Sequence, residues 1–255
     1  MTLSTRRQFI THTVPLTLGA TLGLGATGAP GNTGRISPEK RIKILVVGAH
    51  PDDPETMCGG TMALYSAAGH EVVSAYLTRG EAGIPGKSHE EAARIRTAEA
   101  LAACGVLKAR PVFIGQTDGN CEITRQRYDE VLALLEKEAP DILFTHWPVD
   151  THRDHRICSV LVFDAWLRME TKPALYYGEV MSGVQSRNFS PTDYVDISGV
   201  LEQKHRACFA HASQGIESSY AEYHGKMEAF RGMEYGCGFA EAYIRQLRSH
   251  AMQPV

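Results

Sequence analysis

Short apolar runs alternate with segments of helical periodicity along most of this chain. Runs rich in β-branched or aromatic residues predict strands, which we place at 42–47, 71–77, 111–114, 141–145, 174–177 and 194–197. The segments between and after these runs predict helices over 60–68, 88–104, 124–138, 154–169, 200–212 and 219–235. Strands that alternate with helices predict an α/β fold, in a Rossmann-like three-layer α/β/α arrangement with a mostly parallel sheet.

The helix that begins near Ser88 has a clear start signal. Ser88-His89-Glu90-Glu91 is a capping box, in which side chains bind the backbone N–H groups that a helix start leaves free. Gly105 lies just past the predicted end. The apolar residues available for an inward face are Ala92, Ala93, Ile95, Ala98, Leu101 and Ala102.

Ionisable residues cluster where the first strand ends. The run 42–47 is followed by Ala49-His50-Pro51-Asp52-Asp53-Pro54-Glu55. A continuous apolar run of this kind indicates a buried parallel strand, and open α/β sheets bind ligands at the carboxyl ends of such strands. Imidazole and carboxylate groups at this position favour a borderline-hard divalent metal such as zinc. We interpret the segment as half of a metal site.

A second cluster of histidine and aspartate follows the fourth strand. The segment from His146 to His155 contains three histidines and two aspartates. In a doubly wound sheet of Rossmann-like order, the first and fourth strands are neighbours, and ligands bind in the crevice between their ends. Fold and chemistry therefore predict that both clusters face one crevice.

Composition narrows the class of partner. The 255 residues are 43% hydrophobic and 22% charged, which is typical of a soluble globular chain. A formal net charge of −3 does not provide the excess of positive charge that binding to nucleic acid or an anionic membrane requires. The expected partner is therefore a small molecule or a glycan. The six cysteines include no Cys-x-x-Cys pair, and we expect mostly small buried residues and no obligatory disulfide.

Residues 1–34 have the features of an export signal. Arg6-Arg7 precedes a mildly apolar run, rich in Gly and Thr, from Val14 to Thr27, which resembles a twin-arginine signal peptide. The run is too short and too polar to predict a lasting membrane span. We expect export to the periplasm or the extracellular space, cleavage within 27–35, and one domain over 35–255. The alternative is a disordered or once-spanning N-terminus.

Several motifs together resemble the PIG-L/LmbE-like family of metal-dependent N-deacetylases. They occur in the family's order and span residues 42 to about 245. Arg153 departs from the family pattern, which has proline at that position and hence a stiffer loop. The matching segments are Ala49 to Glu55, Gly59-Gly60-Thr61, Leu77 to Glu81, Asp118-Gly119, His152 to His155 and His211 to Gln214.

The resemblance implies a zinc-dependent hydrolase that removes an N-acetyl or other N-acyl group from an amino sugar or a glycoconjugate. Carried over position by position, it makes His50, Asp53 and His155 the metal ligands. It makes Asp52 the general base, which takes a proton from the metal-bound water that attacks the amide carbonyl. Iron, manganese or cobalt would also suit such ligands.

The remaining polar residues of the motifs receive supporting roles. We expect His152 to stabilise the oxyanion and to protonate the departing amine, with the Asp154 carboxylate holding its ring. The resemblance makes Arg79, Asp118 and His211 candidates for substrate binding.

Three other interpretations are possible but less favoured. A structural zinc site would normally have four ligands rich in cysteine, and a buried ion-pair network would have no reaction to perform. A carbohydrate-binding protein that holds a metal without turnover would not need Asp52 beside the ligands. A nucleotide site is disfavoured because the turn from Gly48 to Asp53 lacks the Gly-x-Gly-x-x-Gly pattern.

Overall fold

The strands of this protein form one twisted sheet with a mostly parallel order. The computed structural model describes residues 41–247, so the predicted export signal at 1–34 lies outside the described residues. Within that range the sheet order is β3-β2-β1-β4-β5-β7-β6. The strands are β1 Lys43–Gly48, β2 Glu71–Tyr76, β3 Arg110–Phe113, β4 Ile142–His146, β5 Ala174–Gly178, β6 Asp193–Asp196 and β7 Ala240–Arg245.

The pairing confirms the predicted α/β architecture. Strands β3, β2, β1, β4 and β5 are parallel to one another, and β7 runs antiparallel to both β5 and β6. The first and fourth strands are neighbours, as expected, with Val47 beside Thr145. Six strands lie close to their predicted positions, whereas β7 was not predicted.

Helices cover both faces of the sheet. Successive β1 residues point to opposite faces, so Leu45 packs into one apolar core with α3 and α4, and Val46 packs into the other with α1 and α5. None of the helices within 41–247 combines the length and the apolar character that a bilayer crossing requires. The helices are α1 Asp53–Ala67, α2 His89–Leu107, α3 Arg125–Glu138, α4 Arg153–Arg168, α5 Leu201–Phe209, α6 Ile216–Ser219 and α7 His224–Tyr235.

The inward face predicted for α2 is wrong at most positions, although Ala92 is buried as expected. Leu101, expected inside, is 50% exposed, whereas Arg96 is only 3% exposed. Alanines occur on every side of this helix, so apolar spacing alone does not select a face. The buried residues are Ala92, Arg96, Ala100, Ala103, Cys104 and Leu107. The Ser88 cap is as predicted, since its side chain accepts a hydrogen bond from the Glu91 N–H.

The helix predicted over 219–235 is interrupted. A 3₁₀ turn at Tyr220–Glu222 separates the short α6 from α7, which begins only at His224. The loop from 179 to 192 and α7 then flank one side of the sheet edge that β5, β7 and β6 form.

A buried ion cluster fastens the unpredicted strand β7 to three helices. Lys204 is 1% exposed, and its Nζ lies 2.9 Å from Glu228 Oε1 and 2.8 Å from Glu241 Oε1. The Glu241 carboxylate also accepts the backbone N–H groups of Gly60 and Thr61 in α1, both at 2.8 Å. A single lysine therefore neutralises two buried carboxylates that connect α5, α7, β7 and the middle of α1.

Replacing this lysine should strongly destabilise the fold. Lys204→Met leaves Glu228 and Glu241 buried without a cation, and removing one partner of a buried ion pair costs about 3–5 kcal/mol. We expect a loss of that size in the free energy of unfolding, measured by urea denaturation. The control is Lys87→Met, which removes a surface pair with Glu91 and should cost less than about 1 kcal/mol. Equal losses in the two variants would contradict the assignment.

Candidate active site and metal centre

The two predicted clusters meet at the carboxyl ends of β1 and β4. They line a cavity of about 540 Å³. The Ala49 N–H donates to His146 Nε2 at 2.9 Å, which fastens the end of one strand to the end of the other. The predicted site residues that line this cavity are His50, Asp52, Asp53, Asp118, His152 and His155.

His50 and Asp53 are in direct contact at the start of α1. The His50 N–H donates to Asp53 Oδ2 at 2.7 Å, and His50 Nδ1 lies 3.1 Å from the same oxygen. Both residues are buried. On the other side of the ring, His50 Nε2 lies 3.1 Å from Asp118 Oδ1 and 3.5 Å from Asp154 Oδ2. Three carboxylates therefore surround one imidazole.

The third predicted ligand, His155, lies against Asp53, but within 41–247 the set of His50, Asp53 and His155 is not one of the groups whose ligand atoms all lie within 4.8 Å of one another. His155 Nε2 lies 3.3 Å from Asp53 Oδ1, and its Nδ1 lies 3.3 Å from Asp150 Oδ1. Burial disfavours the charged ring, but Asp53 and Asp150 outweigh it and raise the pKa of His155 to about 9. Asp150, which the sequence did not single out, thus supports the ring from the side away from Asp53.

His146 was also not assigned a role, although it belongs to the second cluster. Burial and the neighbouring His155 lower the pKa of His146 to about 4, so its ring is neutral at pH 7. Its Nε2 lone pair accepts the Ala49 N–H. His146 therefore orients the first motif, and that nitrogen is not free to bind a metal.

The donor set fits a divalent cation. Burial opposes protonation of His50, yet Asp118, Asp154 and Asp53 raise its pKa well above the usual value, which reflects a strongly negative potential. Within 41–247, the buried atoms His50 Nε2 and Asp154 Oδ1 have no hydrogen bond of good geometry. Possible ligand atoms lie within 4.8 Å of one another in three overlapping groups: His50 with His152 and His155, Asp53 with His146 and His155, and His50 with Asp118 and Asp154.

Asp52 has a strained backbone and a close cationic partner. Its φ of 116° lies in a region of backbone conformation that residues other than glycine rarely adopt. The conformation is held by Thr56, whose N–H and hydroxyl both donate to the Asp52 carbonyl. Arg96 donates to the Pro51 carbonyl and to Asp52 Oδ2, the latter at 3.0 Å. Strain of this kind costs about 1–3 kcal/mol and is typical of functional loops.

The electrostatics of Asp52 differ from those of its neighbour. Burial raises the pKa of Asp52 to about 6, against the opposing effect of Arg96. Burial also tends to raise the pKa of Asp53, but His155 and His146 hold this pKa well below its usual range. Two adjacent carboxyl groups therefore have different proton affinities, and Asp52 is the one suited to accept and release a proton near neutrality.

His152 is oriented by the backbone rather than by a carboxylate. It caps α4, and its Nδ1 accepts the Asp154 N–H at 3.2 Å, so in the neutral ring Nε2 carries the proton. The expectation that the Asp154 carboxylate holds this ring is wrong. That carboxylate instead accepts the Gly119 N–H at 2.8 Å and faces His50.

Arg153 fastens the loop that follows β3. Its guanidinium donates to the Cys121 carbonyl at 2.9 Å and to the Gly119 carbonyl at 3.5 Å. The same loop holds Asp118, whose Oδ2 accepts the Ala82 N–H at 3.2 Å. The residue that departs from the family pattern therefore joins α4 to the loop of a cavity residue.

Two predicted substrate-binding residues lie elsewhere. Arg79 is exposed, and it lines a separate surface depression with Glu81 and Arg94. His211 is 0% exposed, and its Nε2 lies 3.2 Å from Glu55 Oε2 behind the first motif. Neither side chain is brought to the cavity that His50 lines, so their predicted contact with substrate has no support in the geometry.

Arg96 is the main cavity residue that sequence reasoning missed. An arginine among alanines on an amphipathic helix is usually solvated, so its spacing gave no signal. Gln214 also lines the cavity and does so from the motif His211 to Gln214, from which only the histidine was selected.

Comparisons with known proteins agree with this geometry. Residues 45–166 match the family described as PIG-L: GlcNAc-PI de-N-acetylase. Diacetylchitobiose deacetylase of Thermococcus kodakarensis is 30% identical over 222 residues, which cover 75% of this chain and 81% of that relative. This chain belongs to the PIG-L family.

Solved structures share the fold. The N,N'-diacetylchitobiose deacetylase from Pyrococcus horikoshii superposes with a TM-score of 0.73 at 23% identity, over 80% of this chain and 83% of that one. GalB, a 4-carboxy-2-hydroxymuconate hydratase from Pseudomonas putida KT2440, has the same TM-score of 0.73 at 19% identity, over 84% and 100%. Because a deacetylase and a hydratase share this PIG-L-like fold, the fold alone does not decide the reaction.

Metal content will distinguish between the possible ligand sets. If His50, Asp53 and His155 bind the metal, His155→Ala and Asp53→Asn should lose it, whereas His152→Ala should retain about one equivalent. The measurement is elemental analysis of protein dialysed after zinc loading, with folding checked by circular dichroism. His89→Ala, an exposed residue outside the cavity, is the control. Loss of metal in His152→Ala would favour the group of His50, His152 and His155 instead.

Proposed function

We propose that this protein is a zinc-dependent hydrolase that removes the N-acetyl group from an amino sugar or a glycoconjugate. Deacetylase activity on N-acetylated sugars is supported by membership of the PIG-L family and by the diacetylchitobiose deacetylase relative. The substrate, the metal and the role of each residue are the parts that the proposal adds.

One observation carries the proposal. The Asp52 carboxyl group lines the cavity directly beside His50 and Asp53, has a pKa of about 6, and is held by Arg96 on a strained backbone. A binding site for a metal alone has no need of an additional carboxyl group with this proton affinity. A hydrolytic site does, because a proton must leave the attacking water and reach the departing nitrogen.

His50, Asp53 and His155 would hold the metal. Nitrogen and oxygen donors of this kind suit zinc, and Asp150 lies 3.3 Å from His155 Nδ1, on the side of the ring away from Asp53, where it can orient that ring. When bound, a divalent metal lowers the pKa of water toward neutrality and polarises the acyl carbonyl.

Asp52 would act first as the general base and then as the general acid. Its carboxylate accepts a proton from the water that adds to the acetamide carbonyl carbon, and it then gives this proton to the nitrogen as the C–N bond breaks. Acetate and a free amine result. A pKa of about 6 serves both steps, since the group is mostly ionised at pH 7 and still becomes a competent acid after protonation.

His152 would stabilise the oxyanion of the tetrahedral intermediate. Its Nδ1 accepts the Asp154 N–H, which leaves Nε2–H as the donor available to a ligand. Burial lowers the pKa of His152, and the neighbouring His50 and His155 act in the same direction, so the side chain is neutral near pH 7. A neutral Nε2–H donates a hydrogen bond well and yields its proton poorly, which favours oxyanion stabilisation over protonation of the amine.

Substitution of the proposed base gives a direct test. Asp52→Asn should lower the rate of acetate release by about 10²–10⁴-fold, because general-base catalysis is lost, while zinc content stays the same. The assay is acetate release by zinc-loaded protein from N-acetylglucosamine, diacetylchitobiose and other N-acetylated glycosides. Asp129→Asn, on the exposed face of α3, is the matched control and should retain full activity.

The alternative is a metal-containing protein that binds carbohydrate without turnover. It predicts that zinc and N-acetylated sugars bind, that no acetate is released by the wild type, and that Asp52→Asn changes nothing. Release by the wild type that is lost after chelation and restored by zinc would contradict it.

We also propose that the protein is exported in a folded state. The support is the pair Arg6-Arg7 ahead of an apolar run in the sequence. In a bacterial host with a twin-arginine export system, the full chain should reach the periplasm, and the double variant Arg6→Lys and Arg7→Lys should stay in the cytoplasm. Cell fractionation measures this, with Arg41→Lys as a control. Equal export of both forms would exclude a twin-arginine route.

A further inference from the structure

Exposed apolar side chains are frequent in the loop after β5 and in the segment that includes α7. Among residues 41–247, ten large hydrophobic residues are exposed, and half of them lie in the loop after β5 or between residues 223 and 235. Solvent-exposed apolar residues are normally scattered, whereas a cluster marks a surface that binds something. These five residues are Val184, Tyr223, Phe230, Met233 and Tyr235.

Part of this cluster forms a groove of about 350 Å³. Its apolar lining comes from Met181, Val184, Tyr223, Met227 and Phe230. Met181 and Tyr223 also line the cavity that contains His50 and Asp52. The groove therefore begins where the polar cavity ends, and a single ligand can occupy both.

The walls of the groove are fixed by interactions beneath it. Arg231, only 5% exposed, donates to both oxygens of Glu179, at 2.6 and 2.7 Å. This ion pair joins α7 to the loop after β5, and the Ser182 N–H adds a contact of 3.4 Å with Met227 Sδ. The Arg231 guanidinium also lies 5.4 Å from the centre of the Phe230 ring. An apolar ligand would thus meet a preformed surface.

The charges around the groove nearly balance. Arg231 is paired with both Glu179 and Glu234, and the other charged lining residues are one acid, Glu222, and one base, Lys226, so these five residues carry a single excess negative charge. The adjoining cavity is lined mainly by histidines, aspartates and Arg96. A ligand that fits both has a polar end in the cavity and an uncharged apolar end in the groove.

We propose that the groove binds an apolar alkyl or aryl aglycone of the substrate. This inference rests on the proposed deacetylase function, and it narrows the substrate to an amphipathic glycoside whose N-acetylated sugar lies in the cavity. Each methylene group removed from water contributes about a fourfold gain in affinity, so even a partly buried alkyl chain affects selectivity.

The test compares two substrates that differ only in the aglycone. These are the methyl and octyl glycosides of N-acetylglucosamine, used below the concentration at which the octyl compound forms micelles. For the zinc-loaded wild type we expect kcat/KM to be at least about tenfold higher for the octyl glycoside. A ratio near one, with acetate still released from both, would overturn the inference and leave the proposed function intact.

Variants of exposed residues locate the effect. Val184→Ser combined with Phe230→Ser should reduce the octyl-to-methyl ratio to within about threefold of one. Met233→Ser is the matched control, since Met233 lies on the same helix and is 70% exposed but does not line the groove. An equal fall in the ratio for Met233→Ser would attribute the preference to general detergent adsorption and overturn the inference.

A binding measurement separates failure of the groove from failure of the proposed function. Zinc-loaded Asp52→Asn protein should bind the octyl glycoside at least about tenfold more tightly than the methyl glycoside in equilibrium dialysis. That result supports binding of an apolar aglycone in the groove even if the wild type releases no acetate. Absence of acetate release would refute only the proposed deacetylase activity. Equal affinities for the two glycosides would overturn the inference. If the wild type also sediments as an oligomer, and Val184→Ser combined with Phe230→Ser dissociates it, the groove is a contact between copies of this chain.

Discussion

The parallel pairing of β1 with β4 is the constraint on which the site depends. Two motifs that are far apart in the chain become one cluster only because Val47 lies beside Thr145, so that both strands end at the same level. The hydrogen bond from the Ala49 N–H to His146 Nε2 then fixes the loop after β1 against the end of β4. A shift of one residue in this register would reverse the face of every side chain and separate His50 from His155.

The sequence was sufficient for this part because the relevant signals are local. Apolar runs define the strands, and prolines and ionisable residues mark their ends, so the approach of the two clusters follows from strand order alone. The side chains of Arg79 and His211 could not be assigned in the same way. A motif indicates which loop lies near the site, but the direction of each side chain depends on packing, which leaves Arg79 exposed and His211 fully buried against Glu55.

Arg96 and β7 show a second limit, which concerns buried charge. Apolar periodicity treats every charged residue as solvent-facing, yet Arg96 is buried because Asp52 and the Pro51 carbonyl receive its hydrogen bonds. Glu241 interrupts the apolar pattern of β7 in the same way and is buried because Lys204 neutralises it. Both partners come from distant parts of the chain, so these positions are recognisable only after the tertiary contacts are known.

The same reasoning distinguishes the two halves of the proposed binding surface. In the cavity, buried charges are held at fixed positions by other charges, as Arg96 holds Asp52, and they can be arranged around a reacting amide without reorganisation. In the groove, the charge of Arg231 is neutralised by Glu179, and this pair serves to fix apolar walls. In this proposal the strand ends supply the chemistry and α7 with its facing loop supplies the selectivity, while Met181 and Tyr223 border both the cavity and the groove. Groove residues that do not line the cavity, such as Val184 and Phe230, can therefore change without disturbing the proposed catalytic geometry.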